Sequence, residues 1–407
     1  MYIEINKDKI RLKLLNIILF VIQFDTFEYV HDGGLGFFSP VRIIILPLCI
    51  LYLCNFSKEI YPKDRGKIIL SIIFFIFCFL GDIGSNTSNL SSVVGSLISL
   101  LTTYYLFHDI VIGRSTLYVM TLWAVIQIPS FIIQITEGSI NISNRFEGLN
   151  FDPNYLCSLV IPAIWASFYL LKKESKFILR LYNYIIIAFG IIMVFLSYSR
   201  GGMIALIITL FIYLLVNNKK LFFVVAAITF SLASAIMVRA QFVDYRDAEE
   251  NFIDGFIYRS FTKDDVSEMT SGRSDLIDTY IEEIEKGNYI VIGSSLPQYI
   301  SDVNNGSYSH NGFIDLCVQG GLIAGGAFCI LLLWCILWVV TKCVKIKIIP
   351  YEVIFILSIF VPLMFLAFSA KLIWLVIGIL LSISNQFNFE KYLISDDYED
   401  FDNHTGL

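Results

Sequence analysis

The 407-residue chain is 57% hydrophobic and only 16% charged, with a formal net charge of −6. Soluble domains carry about 25% charged residues, so this composition excludes an ordinary water-exposed surface. Apolar runs recur along most of the chain, and each is close to the roughly twenty residues that a helix needs to cross a bilayer. The composition therefore predicts an all-α polytopic membrane protein.

The apolar runs predict about twelve transmembrane helices. Their approximate limits are 12–30, 38–56, 67–83, 90–107, 115–136, 153–171, 181–198, 202–217, 221–238, 311–341, 350–368 and 371–388. The tenth run is longer than one crossing requires, so we expect it to be tilted or to extend beyond the bilayer. The chain then divides into a membrane domain at 1–238, a large loop at 239–309, a second membrane part at 310–394 and an acidic tail at 395–407.

The distribution of Lys and Arg predicts the orientation of these helices. Most of the 29 basic residues fall in alternate connecting segments, and the positive-inside rule makes such segments cytoplasmic. Both termini and the acidic tail are then cytoplasmic. The large loop between helices nine and ten is external.

One stretch of the large loop has the pattern of an amphipathic helix, Ser274–Gly287. Its apolar residues share one face: Leu276, Tyr280, Ile281 and Ile284. Ser274 is suited to cap its start, and Gly287 suits the position just beyond its end. We expect the apolar face to lie on the membrane domain like a lid.

Basic residues in the short segments that the positive-inside rule makes external are candidates for function. The short external segments hold Arg42, Arg145, Arg200 and Lys371. Arg200 lies in SYSRGG, between two helices with almost no loop, where Gly201 opens the next helix. A helix N-terminus attracts anions, so an arginine beside a helix N-terminus predicts a phosphate-binding site. The alternative is a tight hairpin with an arginine that snorkels to the interface.

Other candidates come from three short motifs. Arg145 lies in NRFEGLNFDPN, where Asp152 and Pro153 are typical of a helix start but do not explain the arginine. The loop motif TSGRSD contains Arg273, and His310 with Asn311 lies in SYSHNGF, where the loop re-enters the membrane. A histidine titrates near neutrality and can take a proton from a hydroxyl group. Each residue can also be read as an ordinary solvated or boundary side chain.

Four motifs follow one another along the chain: RFEGLNFDPN, SYSRGGMIAL, TSGRSDL with GNYIVIGSSLPQY after it, and SHNGFIDLCVQGGLIAG. In their order, and in the large loop between helices nine and ten, they resemble the O-antigen polymerase and O-antigen ligase family of bacterial envelope proteins. The resemblance covers roughly Arg145–Gly325. Ser295 and Ile277 stand where the family usually has glycine and tryptophan.

The resemblance implies glycosyl transfer, without a metal or other cofactor, at the outer face of the bacterial inner membrane. The donor would be an oligosaccharide carried on undecaprenyl diphosphate. His310 would be the base for an acceptor hydroxyl, while Arg200 and Arg273 would stabilise charge on the diphosphate leaving group. The substrate-binding candidates are Arg145, Asn311, Gly201 and Arg42. The expected partners are the lipid-linked oligosaccharide, membrane lipids and a protein that regulates chain length, with no nucleic acid.

Three functions remain open from the sequence. A polymerase, which joins lipid-linked repeat units of an O-antigen or a capsule, is our first reading. A ligase, which moves finished polymer onto lipid A-core, has the same motifs. A transporter or flippase is the alternative from another class, although transporters place ionisable residues at the bilayer midplane, whereas the charges here lie near the helix ends.

Overall fold

A computed structural model describes residues 7–26, 44–56, 62–86, 90–109, 111–138, 140, 145–150, 152–243, 252–261, 273–303, 311–363 and 371–385. Over these residues the regular structure is helical throughout. Eight helices in the described ranges are long and apolar enough to cross a membrane, and two shorter apolar helices span Tyr351–Pro362 and Leu372–Ile383. The prediction of an all-α polytopic membrane protein is confirmed.

The helices overlap the predicted runs, although the first begins at Lys7 instead of residue 12 and ends at Ile22, and the run predicted at 115–136 is divided into two helices. The first eight are α1 Lys7–Ile22, α2 Leu46–Phe56, α3 Arg65–Ile83, α4 Leu90–Asp109, α5 Arg114–Val125, α6 Ile128–Thr136, α7 Pro153–Lys173 and α8 Phe177–Leu196. The next eight are α9 Arg200–Asn217, α10 Lys219–Ala240, α11 Phe252–Phe261, α12 Arg273–Glu285, α13 Leu296–Asp302, α14 Gly312–Ile346, α15 Tyr351–Leu363 and α16 Lys371–Ile383. Short 3-10 turns occupy Gln23–Thr26 and Pro62–Asp64.

Helix α7 is the centre of the bundle. It packs against α5, α8, α9 and α15, and most of its residues are buried. A second group forms beside it, because α4 packs along α16 and α3 packs along α14. Gly378 allows the close approach of α4 and α16, since a methyl group there would lie 2.0 Å from the hydroxyl of Thr103.

The alternation of long helices defines the two ends of the bundle. Helix α9 begins at Arg200 and α10 returns to the same end at Ala240, where the large loop starts. We call this the loop end. The end of α3 is also there, because a Cβ atom on Gly81 would lie 2.8 Å from the carbonyl carbon of Gly293 in the loop.

Helix α14 is broken, so the single helix predicted for 311–341 is wrong. Gly321 has φ 78° and ψ 157°, a conformation essentially confined to glycine. A Cβ atom on Gly325 would lie 2.5 Å from the carbonyl oxygen of Leu316, whereas a continuous helix separates these residues by about 13 Å. Residues 312–320, the short arm, therefore fold back on residues 322–346, the long arm. This break could not be predicted from hydrophobicity, because both arms are apolar.

The large loop supplies the backbone partners that the broken helix lacks. The N–H groups of Leu322 and Ile323 donate to the carbonyls of Tyr289 and Ile290, at 2.8 and 3.1 Å. The N–H of Ser294 donates to the carbonyl of Val318, at 2.8 Å. Broken helices persist in a membrane when such groups are satisfied within the protein. The loop segment 289–294 is thus part of the α14 fold.

The amphipathic helix of the loop forms as α12, Arg273–Glu285, with two differences from the prediction. Ser274 lies inside the helix and is not its cap. Ile281 is 46% exposed, so it does not share the buried face. Gly287 has φ 88°, as expected for the residue that ends a helix. Tyr280 packs with Ile314 and Val318 of the short arm, so α12 covers that arm.

Candidate functional site

The start of α7 organises the first wall of the site. Asp152 caps this helix by accepting a hydrogen bond from the N–H of Asn154, at 2.7 Å. Pro153 occupies the first turn, where its missing N–H costs nothing. Both features were predicted from the sequence. They fix the direction in which the preceding segment, which carries Arg145, leaves the helix.

The segment with Arg145 is tied to the end of α8. The N–H of Phe146 donates to the carbonyl of Leu196 at 3.1 Å, and its fully buried ring lies edge-on to Phe131. Further along, Leu149 donates its N–H to the Gln127 side chain at 2.9 Å. Arg145 is therefore held beside the SYSRGG turn, although 55 positions of sequence separate it from Arg200.

The turn between α8 and α9 is held from inside the bundle. The Ser199 side chain caps α9 by accepting from the N–H of Gly202 at 2.9 Å, and its hydroxyl donates to the Asn154 side chain. Gly202 lies against Cys157, because a Cβ atom there would be 2.3 Å from the Cys157 sulfur. Tyr198 has φ 48°, a left-handed conformation that side chains other than glycine seldom adopt. Arg200 and Gly201 then form the first turn of α9.

Arg145 and Arg200 come together at this turn. Arg200 is partly buried at the N-terminus of α9, and the hydrogen bond from Phe146 to Leu196 holds the segment that carries Arg145 beside the same turn. Two like charges repel, and the first backbone N–H groups of a helix add further positive potential. An anion between the two guanidinium groups would relieve this repulsion. The arrangement is suited to a doubly charged group such as a diphosphate.

Asn311 has a structural role that the sequence reading did not foresee. Its side-chain oxygen accepts from the N–H groups of Phe313 and Ile314, at 3.0 and 3.3 Å, and so caps the short arm of α14. The Cys329 sulfur lies 4.0 Å from the Phe313 carbonyl. Cys329 is seven residues along the long arm from Leu322, which is about 10 Å. The start of the short arm is therefore set into the bundle, and its first turn carries the fully buried Asp315.

Three predicted site residues are not placed in full. His310 and Arg42 lie outside the described residues. Arg273 is the first residue of α12, and only its backbone is described. The structure thus joins Arg145, Arg200 and Gly201 into one group, while the positions of the other side chains relative to it remain predictions.

Sequence reasoning missed the residues that hold the arginines in place. Asn154 and Ser199 are buried and joined to each other, and Tyr198 carries the strained backbone. Their positions inside the quoted motifs, DPN and YSR, were the available signal. In DPN, a helix start accounts for Asp152 and Pro153 but not for Asn154.

These features define a polytopic membrane protein with two arginines at one turn of its bundle and a broken helix whose backbone is completed by its large loop. Residues 185–329 match the family model described as O-antigen ligase. The chain therefore carries this domain, and the resemblance to the O-antigen polymerase and ligase family is confirmed over that range. The match includes Arg200, Arg273 and His310, and it excludes Arg145. No curated protein and no solved structure matches the chain.

Proposed function

We propose that this protein is a surface-polysaccharide polymerase that joins oligosaccharide repeat units carried on undecaprenyl diphosphate, at the outer face of the bacterial inner membrane. The observation that carries the proposal is the placement of Arg145 and Arg200 at one turn, where the N–H of Phe146 bonds the carbonyl of Leu196 next to the N-terminus of α9. The family match supports the wider class of O-antigen polymerase or ligase.

The chemistry follows from the charges. As the bond between the sugar and the phosphate breaks, negative charge develops on the diphosphate leaving group. Guanidinium groups fixed before the reaction stabilise that charge without further reorganisation. The acceptor hydroxyl loses a proton as it attacks, and His310 is the proposed base. Arg273, at the start of α12, is the proposed third cation.

Ligation is the second candidate, and the description of the matching family model favours it. A ligase would use the same leaving group and the same cations. The two functions differ in the acceptor, which is another lipid-linked unit for a polymerase and lipid A-core for a ligase.

The deciding experiment is deletion of the gene in its native host, followed by gel analysis of the surface glycan. The strain is restored with wild type, Arg200→Ala, His310→Ala or the control Arg180→Ala, which removes an exposed arginine near the other end of α8. A polymerase predicts single capped repeat units in the deletion and a ladder with wild type and the control. Both site variants, at normal protein level, should fail to restore the ladder.

Two other outcomes would change the proposal. Long polymer stranded on the lipid carrier, with bare core at the surface, would identify a ligase. An unchanged ladder in the deletion strain would remove both glycosyl-transfer readings and return attention to transport.

A further inference from the structure

Five large apolar side chains form an exposed patch where α14 reverses direction. Two belong to the reversal and three to the loop segment beside it, and each is between 36% and 62% exposed: Leu322, Ile323, Ile290, Val291 and Ile292. The hydrogen bond from the N–H of Ile323 to the carbonyl of Ile290, at 3.1 Å, joins the two sets. Surfaces that face water rarely expose so many neighbouring apolar groups. We call this set the apex patch.

The loop around the apex patch is free of charge. The charged residues of the α12 region end at Lys286, and the next charged residue is Asp302. The residues between them, 287–301, read GNYIVIGSSLPQYIS. A loop segment that meets only water has no need to exclude charge. A segment that enters a membrane interface excludes it, because moving a charged group out of water is costly.

The apex patch continues the lipid-facing side of the long arm. Ile323 begins a row of exposed apolar residues whose spacing of seven, four and three positions places them on one helix face: Ile323, Ile330, Trp334 and Leu337. The long arm belongs to a helix that is long and apolar enough to cross a membrane, so such a face meets lipid chains. The hydrogen bonds to Tyr289 and Ile290 set the loop side chains beside the start of this row.

The apex patch also adjoins the lipid-facing side of α3. The last turns of this helix expose three apolar residues on one face: Ile76, Leu80 and Ile83. A Cβ atom on Gly81 would lie 2.8 Å from the carbonyl carbon of Gly293, which brings the preceding residue, Ile292, to the end of α3. Helix α3 also packs along α14. The apex patch therefore lies across the ends of two apolar rows that face lipid.

The backbone of the loop segment is suited to a lipid interface. The carbonyls of Tyr289 and Ile290 already accept hydrogen bonds from Leu322 and Ile323, at 2.8 and 3.1 Å. Non-helical backbone is tolerated at membrane depth only where its polar groups are satisfied within the protein. The segment also begins with a tyrosine, a residue that is enriched at the boundary between membrane and water.

We propose that the apex patch is an interfacial anchor, with loop segment 289–292 and the reversal of α14 immersed in the leaflet at the loop end. The partner of this surface is the lipid bilayer. Interfacial segments reach about 5–10 Å into the boundary between headgroups and acyl chains. Because the same segment completes the backbone of α14, the membrane surface sets the height of the short arm. The anchor is independent of the glycosyl-transfer reaction.

The test is site-directed spin labelling of the purified full-length protein in vesicles of phosphatidylethanolamine and phosphatidylglycerol. Single cysteines are introduced into a chain whose eight native cysteines are replaced by alanine. The label is relaxed by oxygen, which concentrates in lipid, or by a nickel chelate, which stays in water. In Val291→Cys and Ile292→Cys, nickel relaxation should be lost and the ratio of oxygen to nickel relaxation should approach that of Ile330→Cys.

The matched control is Glu282→Cys, at an exposed position of α12 in the same loop. It should give the low ratio of a site in water. A ratio at both patch positions equal to that of Glu282→Cys would overturn the anchor, because the patch would face water. Weak relaxation by both reagents would also overturn it, because a second copy of the chain or another protein would then cover the patch.

A second measurement keeps all the native cysteines. Val291 is replaced by the photoreactive residue p-benzoylphenylalanine, and membranes of the host are irradiated. Phospholipid adducts, detected by mass spectrometry, are the expected result, whereas the same replacement of Glu282 should give none. Cross-links from position 291 to protein alone, or equal lipid adducts at the two positions, would contradict the anchor.

Discussion

Arg145 and Arg200 carry like charges and lie beside the start of one helix, α9, where they repel each other. The chain holds them there by bonds that do not involve the guanidinium groups, such as Phe146 to Leu196 and Ser199 to Asn154. The backbone that carries both arginines is therefore fixed before a ligand binds. This is the preorganisation that stabilises a charged leaving group.

If Arg145 and Arg200 act on one leaving group, their effects should not be independent. Removal of one preorganised donor costs about 100-fold or more in rate. Arg145→Ala and Arg200→Ala should each reduce polymer formation from lipid-linked repeat units by that order, and the double variant should lose less than the product of the two. The measurement is the initial rate with purified protein. Strict additivity would mean that the two arginines serve different groups.

A second charged pair joins the loop to the bundle. Arg239, at the end of α10, holds the carboxylate of Asp254 in α11 through two hydrogen bonds, of 3.1 and 2.9 Å. The hydrogen bond from Arg239 lowers the pKa of Asp254 below its ordinary value of 3.8. A carboxyl with a lowered pKa stabilises the fold above its ordinary pKa, and this stabilisation is lost as pH falls through the lowered value.

We therefore expect α11 to separate from α10 only below about pH 4. Hydrogen exchange of α11 amides, corrected for the intrinsic effect of pH, should rise in that range. In Asp254→Asn exchange should already be raised at neutral pH and should change little on acidification. Equal protection in wild type and variant at pH 7 would show that the pair does not hold α11.

The reversal of α14 depends on one glycine more than on any other residue. Gly321→Ala would place a Cβ atom 2.5 Å from the carbonyl of Val291, in a backbone conformation that alanine avoids. Such strain costs on the order of 1–3 kcal/mol. The melting temperature should fall, and polymer formation should fall with it because the loop segment 289–294 is displaced.

Gly326→Ala is the matched control for this change. Gly326 is in the same helix, and a Cβ atom there meets nothing within 4 Å. Alanine is favoured over glycine inside a helix by up to about 1 kcal/mol, so this variant should melt at or above the wild-type temperature. If both variants melt alike, α14 does not reverse at Gly321.

The two arms of α14 also bring a pair of thiols together. Cys317 of the short arm lies against the long arm one helical turn from Cys329, because a Cβ atom on Gly325 would be 2.6 Å from the Cα of Cys317. A straight helix would separate the two cysteines by about 18 Å. In a variant that retains only these two cysteines, mild oxidation should form a disulfide, detected by mass spectrometry. A variant that retains only Cys335 and Cys343, both on the long arm, should form none. Failure of the first pair to link would contradict the fold-back.

The sequence predicted where most helices lie but not how α14 turns. Hydrophobicity reports length and polarity, and both arms are apolar, so 311–341 looked like one long crossing. The glycines of CVQGGLIAGGAF are also typical of close helix packing, so they do not by themselves indicate a reversal. Only the pairing of Gly321 with Val291 and of Gly325 with Leu316 reveals that these glycines permit a reversal. That information is in contacts distant along the chain, which periodicity cannot supply.

For the molecule as a whole, the orientation in the membrane is a prediction from Lys and Arg. Fusions of alkaline phosphatase, which is active only outside the cytoplasm, test it directly. A fusion after Lys286, just beyond α12, should be active. A fusion after Asn218, in the turn between α9 and α10, should be inactive. The opposite pattern would place the arginine turn in the cytoplasm and would remove the proposed substrate from reach.

The candidate site was predicted in part. The motifs selected Arg145 and Arg200 separately, and the structure adds that both lie at one turn. A small cavity beside the end of α3 was not predicted, because its lining residues Asp82, Ser96, Gln319 and Trp374 come from helices far apart in sequence. A single sequence reveals the residue types of such a site but not which helices will meet.

The bonds between loop segment 289–294 and α14 also bear on how the protein is made. The capping carbonyls of Tyr289 and Ile290 precede α14 in the chain, so they leave the ribosome before the helix that needs them. A newly made α14 without these partners would expose unsatisfied backbone groups at Leu322 and Ile323 to lipid, which is costly. With the predicted orientation, loop segment 289–294 therefore crosses the membrane before the two arms of α14 reach their final arrangement, and the folding of the last quarter of the chain depends on that crossing.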